Sequence, residues 1–353
     1  MDRITRIIRN ILPLDQHILD EAQRRLDNLT KPIGSLGKLE DMAKQICGIT
    51  GSISPVLSNK ILFTLAGDHG VTEEKVSPYP KEVTAQMVAN FLNGGAGINV
   101  LARHAGARVV VGDLGVASDL TPRPGLIIKK INYGTKNIAR GPAMTMDEAV
   151  RSIIAGIEIF EEYFKKGVTI CGIGEMGIAN TTPSSAITSC ITSRTVEEIT
   201  GRGAGLDDAG LNNKISVIKQ ALDLNKPDHR DPIDVLAKVG GFEIGGMAGI
   251  ILASAAYKTP VILDGFISGA AALIAFHMAP ATKEYMIASH CSVERGHMII
   301  LEHIGLSAIL NLNLKLGEGT GAALGMTLAD ASIKILTQMA TFESAGVSNR
   351  AKQ

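Results

Sequence analysis

The chain has 353 residues, a length that suits about two domains, or one large α/β domain with an appendage. Its residues are 45% hydrophobic and 20% charged, which is ordinary for a globular protein that buries a sizeable core. Lys and Arg total 35, as do Asp and Glu, so the formal net charge is zero. That balance argues against a nucleic-acid-binding protein and fits an enzyme that acts on small molecules.

The cysteines and the apolar runs indicate the compartment. Cys47, Cys171, Cys190 and Cys291 are far apart and none belongs to a CxxC pair, so we expect reduced thiols rather than disulfides or a zinc site. The N-terminus lacks the apolar run of a secretory signal, and no segment has the ~20 consecutive apolar residues that span a bilayer. We therefore expect a cytoplasmic protein that binds no membrane.

The chain opens with two predicted helices. Apolar side chains recur at helical spacing over residues 14–29, and this helix should end near Thr30 because a proline and a glycine follow. Ser35 is a candidate N-cap for a second helix that runs to Ile46. At the other end of the chain, residues 322–341 are predicted to form a helix that returns to pack on this hairpin.

Between these ends the pattern changes to short apolar strands separated by helices. The predicted strands are Ile61–Ala66, Arg108–Val111, Leu126–Ile131, Val168–Cys171, Val261–Leu263, Tyr285–Ala288 and Ile309–Leu316. Helices are predicted between most of them, for example over residues 146–164 and 247–257. Strands that alternate with helices favour an α/β fold in which helices cover both faces of a parallel sheet.

Glycine and polar residues follow six of these strands. The segments are 67–70, 112–115, 172–177, 264–265, 289–292 and 317–321. One glycine turn is weak support for a site, but ligands of open parallel sheets bind outside the carboxyl ends of the strands. Six such segments therefore predict a ligand crevice at that edge of the sheet.

The segment Gly172–Gly177 matches the G-x-G-x-x-G pattern of dinucleotide-binding proteins, and Glu197 lies about twenty positions on, where such a fold needs an acid. The match comes late in the chain, however, and a polar run with a proline follows it over residues 179–184. That run suits donors around a phosphate or ribose, such as Asn180 and Thr181, better than a helix packed tightly on a strand. We keep the prediction of an anion site and not that of a dinucleotide.

A second anion site is predicted at Gly201–Gly205, where three glycines surround one arginine. Asp207 or Asp208 then caps a helix that carries Lys214 and Lys219. The sequence leaves two interpretations of Lys214 open. It is either a phosphate ligand or a solvated surface lysine.

Glu318 is the candidate general base. It stands between glycines at the end of a predicted strand, and the alternating leucines of residues 310–316 would form an apolar wall beside it. A carboxylate next to apolar surface has a raised pKa, which suits proton abstraction. The alternative is a helix N-terminal glutamate favoured by the macrodipole.

The histidines do not indicate a metal site. His69, His290, His297 and His303 show neither a pair at helical spacing nor a neighbouring carboxylate set. We expect them to serve in the core or as hydrogen-bonding groups, and we predict no bound metal.

Eight stretches in register resemble the nicotinate-nucleotide–dimethylbenzimidazole phosphoribosyltransferase family. They are residues 29–40 (LTKPIGSLGKLE), 66–71 (AGDHGV), 82–87 (EVTAQM), 172–182 (GIGEMGIANTT), 201–208 (GRGAGLDD), 240–246 (GGFEIGG), 289–297 (SHCSVERGH) and 316–323 (LGEGTGAA). The resemblance covers nearly the whole chain. It implies a Rossmann-like, doubly wound sheet over residues 51–321, a small helical domain built from residues 1–50 and 322–353, and a homodimer.

The resemblance also implies the roles of particular side chains. Glu318 would be the proton acceptor and Glu175 would support it. The residues expected around the phosphoribosyl group are Glu175, Gly177, Gly203, Lys214, Gly265 and Ser292, and the polar run and the strand ends add Asn180, Thr181 and Ser289. Ser77 and Gln86 would line a benzimidazole pocket. The substrates would be nicotinate mononucleotide and the benzimidazole base, and the reaction needs no cofactor.

Two other functions remain as alternatives. An NAD-dependent oxidoreductase rests on the Gly172–Gly177 match, but the chain lacks the early βαβ fingerprint of that class. A non-catalytic nucleotide-binding module would need no glutamate placed at a strand end.

Overall fold

One six-stranded sheet organises residues 1–348, the part of the chain that the computed structural model describes. The strands are Lys60–Gly67 (β1), Arg108–Gly115 (β2), Leu126–Ile128 (β3), Ile170–Met176 (β4), Val261–Leu263 (β5) and Met286–Ala288 (β6). Their order is β3-β2-β1-β4-β5-β6, and every neighbouring pair is parallel. The predicted Rossmann-like parallel sheet is confirmed, and its strand order reverses between β1 and β4.

Helices cover both faces of this sheet. In the described residues they are Asp2–Arg9 (α1), Gln16–Asp27 (α2), Lys38–Thr50 (α3), Val83–Asn93 (α4), Gly97–Ala105 (α5), Met146–Phe164 (α6), Thr181–Thr192 (α7), Val196–Ile199 (α8), Asp208–Asn225 (α9), Pro232–Val239 (α10), Phe242–Ala256 (α11), Phe266–Met278 (α12), Arg295–Ile304 (α13) and Thr320–Gln338 (α14). Helices α11 and α12 pack on one face, with α6 against α11, whereas α4, α5 and α14 pack on the other. Each helix falls short of the length and apolar character that a membrane crossing demands.

Strand β1 explains why the sheet is buried on both faces. The side chains of Ile61, Phe63 and Leu65 join the core on the α11 side, and those of Leu62 and Ala66 join the core on the α14 side. Successive side chains of a strand point to opposite faces, so a nearly continuous apolar run is typical of a central parallel strand. Both cores hold β1 in place, and its carboxyl end is therefore a rigid support for a site.

The N-terminal segment differs in detail from the prediction. Helix α3 begins at Lys38 and not at the predicted cap, Ser35. Gly37 has a φ of +51°, in the left-handed region that favours glycine, which ends the preceding turns. The carboxylate of Glu40 accepts a hydrogen bond of 2.8 Å from the backbone N–H of Leu36 and stabilises this turn. The group that stabilises the start of α3 is therefore Glu40, which lies within the helix, and not the predicted cap Ser35.

Helix α14 returns to the N-terminal hairpin. It packs on α3 and α2, and a backbone bridge joins Leu29 to Thr341. The unpredicted helix α1 lies on the other side of the sheet, where Ile4 and Ile7 enter the core beside α6 and α11. The division of the chain at residues 50 and 321 stays a prediction.

The prediction of a strand over Ile309–Leu316 is wrong. This segment leaves the sheet after a single bridge between Leu310 and His290, and it then follows the irregular loop after β6. The side chain of Gln45 donates hydrogen bonds of 2.9 and 3.0 Å to two carbonyls of residues 284–286, so the edge there is already occupied. The alternating leucines therefore mark an extended rim and not a seventh strand.

Candidate active site

A cleft of about 630 Å³ opens at the carboxyl ends of β4, β5 and β6, next to the point where the strand order reverses. Four of the six predicted polar segments line it, at residues 172–177, 264–265, 289–292 and 317–321, whereas segments 67–70 and 112–115 do not. The sequence-predicted residues that line it are Ser77, Glu175, Gly177, Asn180, Thr181, Gly203, Gly265, Ser292 and Glu318. Residues of one wall come from β4 and the loop after it, and those of the other come from the rim at residues 313–318.

Three predicted site residues lie outside this lining. Gln86 is exposed on α4, whereas Val83 and Met87 of the same helix face the cleft. Ser289 is fully buried, and its hydroxyl donates to the carbonyl of Leu263 at 2.6 Å. Lys214 is fully buried behind the lining. The roles of these three residues in binding stay predictions.

The carboxyl group of Glu318 is almost entirely buried, with 6% of the residue exposed. It lies in the turn before α14, and its Oε2 accepts a hydrogen bond of 3.0 Å from the backbone N–H of Ile98, at the start of α5. Burial raises the pKa of this carboxyl, the Ile98 N–H opposes the shift, and the negative charge of Asp264 adds to it. A raised pKa suits a general base that works near neutral pH. The carboxylate also lies at a helix N-terminus, as the alternative interpretation allowed, although that helix is α5. The role of Glu318 as the base stays a prediction.

The glycines of the G-x-G-x-x-G match serve protein packing. Gly172 and Gly174 lie inside β4, which runs five residues beyond the predicted strand end. A Cβ on Gly174 would lie 2.3 Å from the backbone of Glu318 and Gly319, and a Cβ on Gly177 would lie 2.4 Å from the carbonyl of Gly67. These positions need glycine because other backbone approaches them closely. The match therefore does not support a dinucleotide site.

Asp264 is a site residue that the sequence did not single out. It follows β5, and its carboxylate accepts hydrogen bonds from the backbone N–H groups of Gly319, Gly321 and Ala322 at 3.0, 2.7 and 3.3 Å. It thereby caps α14 from a different element. The only local signal was its place in an Asp-Gly pair after a strand.

Glu175 is the penultimate residue of β4 and lies opposite the turn of Glu318. It is 7% exposed, and its carboxylate accepts a hydrogen bond from the side-chain amide of Asn180. Burial raises the pKa of this carboxyl to about 8, with the Asn180 hydrogen bond opposing the shift and the charges of Asp264 and Glu243 adding to it. In the ligand-free cleft Glu175 is therefore mainly the neutral acid at neutral pH.

Helix α7 begins at Thr181, so the polar run that the sequence indicates as ligand donors also opens a helix. The side chain of its N-cap residue, Asn180, makes no capping hydrogen bond. The ammonium group of Lys214 lies 2.7 Å from the hydroxyl oxygen of Thr181 and 3.5 Å from the carbonyl of Gly201. Gly203, at a φ of +53°, lies beside the side chains of Thr181 and Lys214. In this first turn the N–H of Thr182 already bonds to the carbonyl of Ala179, and Pro183 has no N–H. The groups that remain for an anion are therefore the N–H and hydroxyl of Thr181 and the ammonium of Lys214.

Lys214 is not the surface residue that one interpretation allowed, because it is 0% exposed. Burial lowers the pKa of its ammonium group to about 8, and the charge of Glu294 opposes the shift. Asp207 caps the helix that carries this lysine by accepting from the N–H of Gly210 at 2.8 Å, as predicted. A buried ammonium that contacts no carboxylate among the described residues has a strong need for an anionic ligand.

The histidines make hydrogen bonds or lie buried. Nε2 of His69 lies 2.9 Å from Oε1 of Glu243, and His303 pairs with His277 through nitrogens 2.9 Å apart. Burial lowers the pKa of His297 to about 3, so its ring is neutral. Within residues 1–348 no three His, Cys, Asp or Glu side chains are grouped to hold a metal ion.

Comparison with known proteins assigns the family. A family model described as "Phosphoribosyltransferase" matches residues 11–347. A protein of Desulforudis audaxviator named nicotinate-nucleotide–dimethylbenzimidazole phosphoribosyltransferase is 57% identical over 348 residues, which cover 99% of each chain. A Geobacter sulfurreducens protein of the same name is 54% identical over 98% of this chain and 99% of its own. This chain belongs to the nicotinate-nucleotide–dimethylbenzimidazole phosphoribosyltransferase family.

The fold agrees with that assignment. The crystal structure of the family's enzyme from Thermus thermophilus superposes with a TM-score of 0.91 at 42% identity, and the match covers 96% of this chain and 100% of that one. The expected resemblance and the expected phosphoribosyltransferase activity class are thereby confirmed. The oxidoreductase and the non-catalytic module are not favoured.

Proposed function

We propose that this enzyme transfers the 5-phosphoribosyl group of nicotinate mononucleotide to 5,6-dimethylbenzimidazole, which gives α-ribazole 5′-phosphate and nicotinate in the nucleotide-loop branch of cobalamin biosynthesis. The names of the relatives support these substrates. The observation that carries the proposal is the buried carboxyl of Glu318, whose pKa is raised, facing the same cleft as the anion site at α7. An acceptor for a proton and a cradle for a phosphate are the two groups that this transfer needs.

The reaction requires a base for the nucleophile but no acid for the leaving group. Nicotinate leaves as a neutral pyridine ring when its bond to the anomeric carbon breaks, so the leaving group needs no acid. One benzimidazole nitrogen forms the new bond to that carbon, and the proton on its other nitrogen must depart. Glu318 accepts this proton. In-line attack on a β-nucleotide gives the α product.

Glu175 supports the sugar. Its raised pKa makes it mainly a neutral acid before the substrate arrives, so it is suited to hydrogen-bond a ribose hydroxyl. The alternative role, a fixed anion that steadies the positive charge of the oxocarbenium-like transition state, would need Glu175 ionised. The burial of its carboxyl favours the hydroxyl contact.

The two ends of the cleft differ in chemistry. The phosphate would bind at the N-terminus of α7, with Thr181, Gly203 and Lys214 around it. The benzimidazole would lie towards the apolar wall formed by Val76, Val83, Met87 and Leu316, with Ser77 at its edge. This arrangement puts the heterocycle beside Glu318, on the same rim.

One incubation tests the function. The purified protein is mixed with nicotinate mononucleotide and 5,6-dimethylbenzimidazole, and free nicotinate and the new nucleotide are separated by chromatography. We expect equal amounts of both products, and none without the base. A bound mononucleotide that releases no nicotinate would identify a non-catalytic module. A hydride transfer visible by nicotinamide absorbance would identify an oxidoreductase.

Two further features of the enzyme are proposals. A homodimer is supported by apolar side chains that remain exposed near the cleft mouth, namely Tyr79, Val293, Leu312 and Leu316, all at least 47% exposed. A cytoplasmic location is supported by the four free cysteines, two of which are buried. Light scattering of the purified protein tests the first proposal, and a molar mass of one chain would refute it.

A further inference from the structure

The turn that carries Glu318 is held in an unfavourable backbone conformation. Gly317, Glu318 and Gly319 all have positive φ angles, of +81°, +64° and +98°. The two glycines adopt this region freely, but a residue with a side chain is strained there and keeps the conformation only when its surroundings fix it. The position of the Glu318 carboxyl therefore depends on groups outside the turn.

Two groups fix this turn, and one of them is charged. The hydroxyl of Thr64 donates a hydrogen bond of 2.9 Å to the carbonyl of Glu318. The carboxylate of Asp264, 2% exposed, accepts from the N–H of Gly319 and from two N–H groups in the first turn of α14. Asp264 thus fastens the residue next to Glu318 to the end of β5.

We propose that Asp264 is a positioning residue of the phosphoribosyl transfer, because it anchors the turn of Glu318 and keeps a negative charge behind both glutamates of the cleft. The inference rests on the proposed function, since it presumes that Glu318 accepts the proton. Asp264 itself touches no substrate in this account. It acts through the place and the basicity of Glu318.

Burial contributes most to the raised pKa of Glu318, and the groups that face its carboxyl adjust it further. Glu175 faces it from β4, and Asp264 faces it from the end of β5. His290, after β6, has its Nε2 3.6 Å from Oδ1 of Asp264, and Lys315 lines the same cleft from the rim. Helix α5 presents the N–H of Ile98. Asp264 raises the pKa of both Glu318 and Glu175, so its loss would make each of them a weaker base.

Asp264→Asn tests the positioning role. The amide has nearly the same size, carries no charge and turns one acceptor into a donor that faces an N–H. We expect kcat to fall about 10- to 100-fold through misplacement of Glu318. We also expect the acid limb of the kcat/KM profile to move to lower pH, because loss of the Asp264 charge lowers the pKa of Glu318. The substrates titrate identically in both assays, so the difference reports the protein.

Matched variants separate positioning from stability. Asp231 caps α10 by accepting from two N–H groups away from the cleft, so Asp231→Asn makes the same chemical change and should leave the pH profile unchanged. Thr64→Val removes the other restraint of the turn without a charge and should lower kcat while leaving the acid limb in place. Asp264→Ser keeps one cap acceptor without the charge and should move the limb as Asp264→Asn does.

The outcomes are distinct. A folded Asp264→Asn or Asp264→Ser protein with the wild-type acid limb overturns the positioning role. Failure of both variants to fold, while Asp231→Asn folds, assigns Asp264 to fold stability alone and overturns it too. If the wild-type enzyme releases no nicotinate, the proposed function fails instead. If Glu318→Gln retains full turnover, the assignment of the base fails, and both results are obtained before Asp264 is changed.

Discussion

Helices α7 and α14 both begin in the cleft, and the protein treats their N-termini in opposite ways. At α14 the free N–H groups are taken by the buried carboxylate of Asp264. At α7 no side chain caps the helix, and the amide of the N-cap residue Asn180 is turned to Glu175 instead. The ammonium of Lys214 stands beside that open end.

The difference shows how one structural element serves two purposes. A helix N-terminus carries partial positive charge and unpaired donors, so it is completed either by the protein or by a ligand. Where the protein supplies the anion, the preceding turn becomes fixed, and Glu318 gains a defined position. Where the protein leaves the end open, we propose that the phosphate of the substrate completes the site.

The largest expected effect follows from removing the base at α14. Glu318→Gln keeps the size of the side chain and its contact with the N–H of Ile98 but accepts no proton. We expect kcat to fall about 10²- to 10⁴-fold while the protein stays folded. Glu197→Gln, at an exposed ion pair with Lys219, is the matched control and should retain turnover. Near-normal turnover of the folded Glu318 variant would remove this residue from the role.

The next effect concerns the open end at α7. Lys214→Ala removes the buried ammonium beside Thr181, and the KM for the mononucleotide should rise about 10- to 100-fold, because a charge-assisted bond to the phosphate is lost. The change in kcat should be smaller. Steady-state kinetics with varied mononucleotide measures both. Lys219, exposed on the same helix, supplies the control Lys219→Ala, and an unchanged KM in the Lys214 variant would contradict an anion site here.

A smaller effect is expected from the packing under the α14 turn. Gly174→Ala would place a Cβ 2.3 Å from the backbone of Glu318. The turn must shift, and we expect stability to fall by about 1–3 kcal/mol and kcat by about tenfold. Gly141→Ala is the control, since a Cβ there meets nothing within 4 Å. Denaturant unfolding and turnover check both, and equal behaviour of the two variants would refute the close contact.

The last prediction concerns stability alone and is a dependence on pH. The pKa of Glu175 is raised from 4.5 to about 8 in the folded protein, so the folded state holds this proton more tightly than the unfolded state. The stability that this group contributes is present at low pH and is lost as pH rises through about 8. Glu175→Gln should therefore gain stability over the ligand-free wild type as pH rises from about 5 to about 9. Urea unfolding at both pH values measures this, and a constant difference would contradict it.

The sequence pattern predicted the features that depend on neighbouring residues alone, namely the strands and the polar residues that follow them. The apolar runs predicted all six strands of the sheet, and the polar residues at the ends of β4 and β5 include Glu175, Gly177 and Gly265. They also predicted a crevice at the correct edge of the sheet. These features depend on strand alternation and on the shared direction of parallel strands.

Features that depend on distant parts of the chain were not predictable in this way. The cap by Asp264 joins residues 55 or more positions apart, and the burial of Lys214 depends on how α9 packs against α7. The leucines before Glu318 alternate as in a strand, yet the edge of β6 was already occupied by Gln45. In each case tertiary contacts decided between local alternatives.

A crystal structure of the Glu318→Gln variant with both substrates tests the central claim most directly. We predict a benzimidazole nitrogen within about 3.2 Å of the side chain at position 318, and the phosphate at the N-terminus of α7 beside Lys214. A heterocycle bound away from position 318, or a phosphate bound elsewhere with Lys214 still covered, would contradict the account.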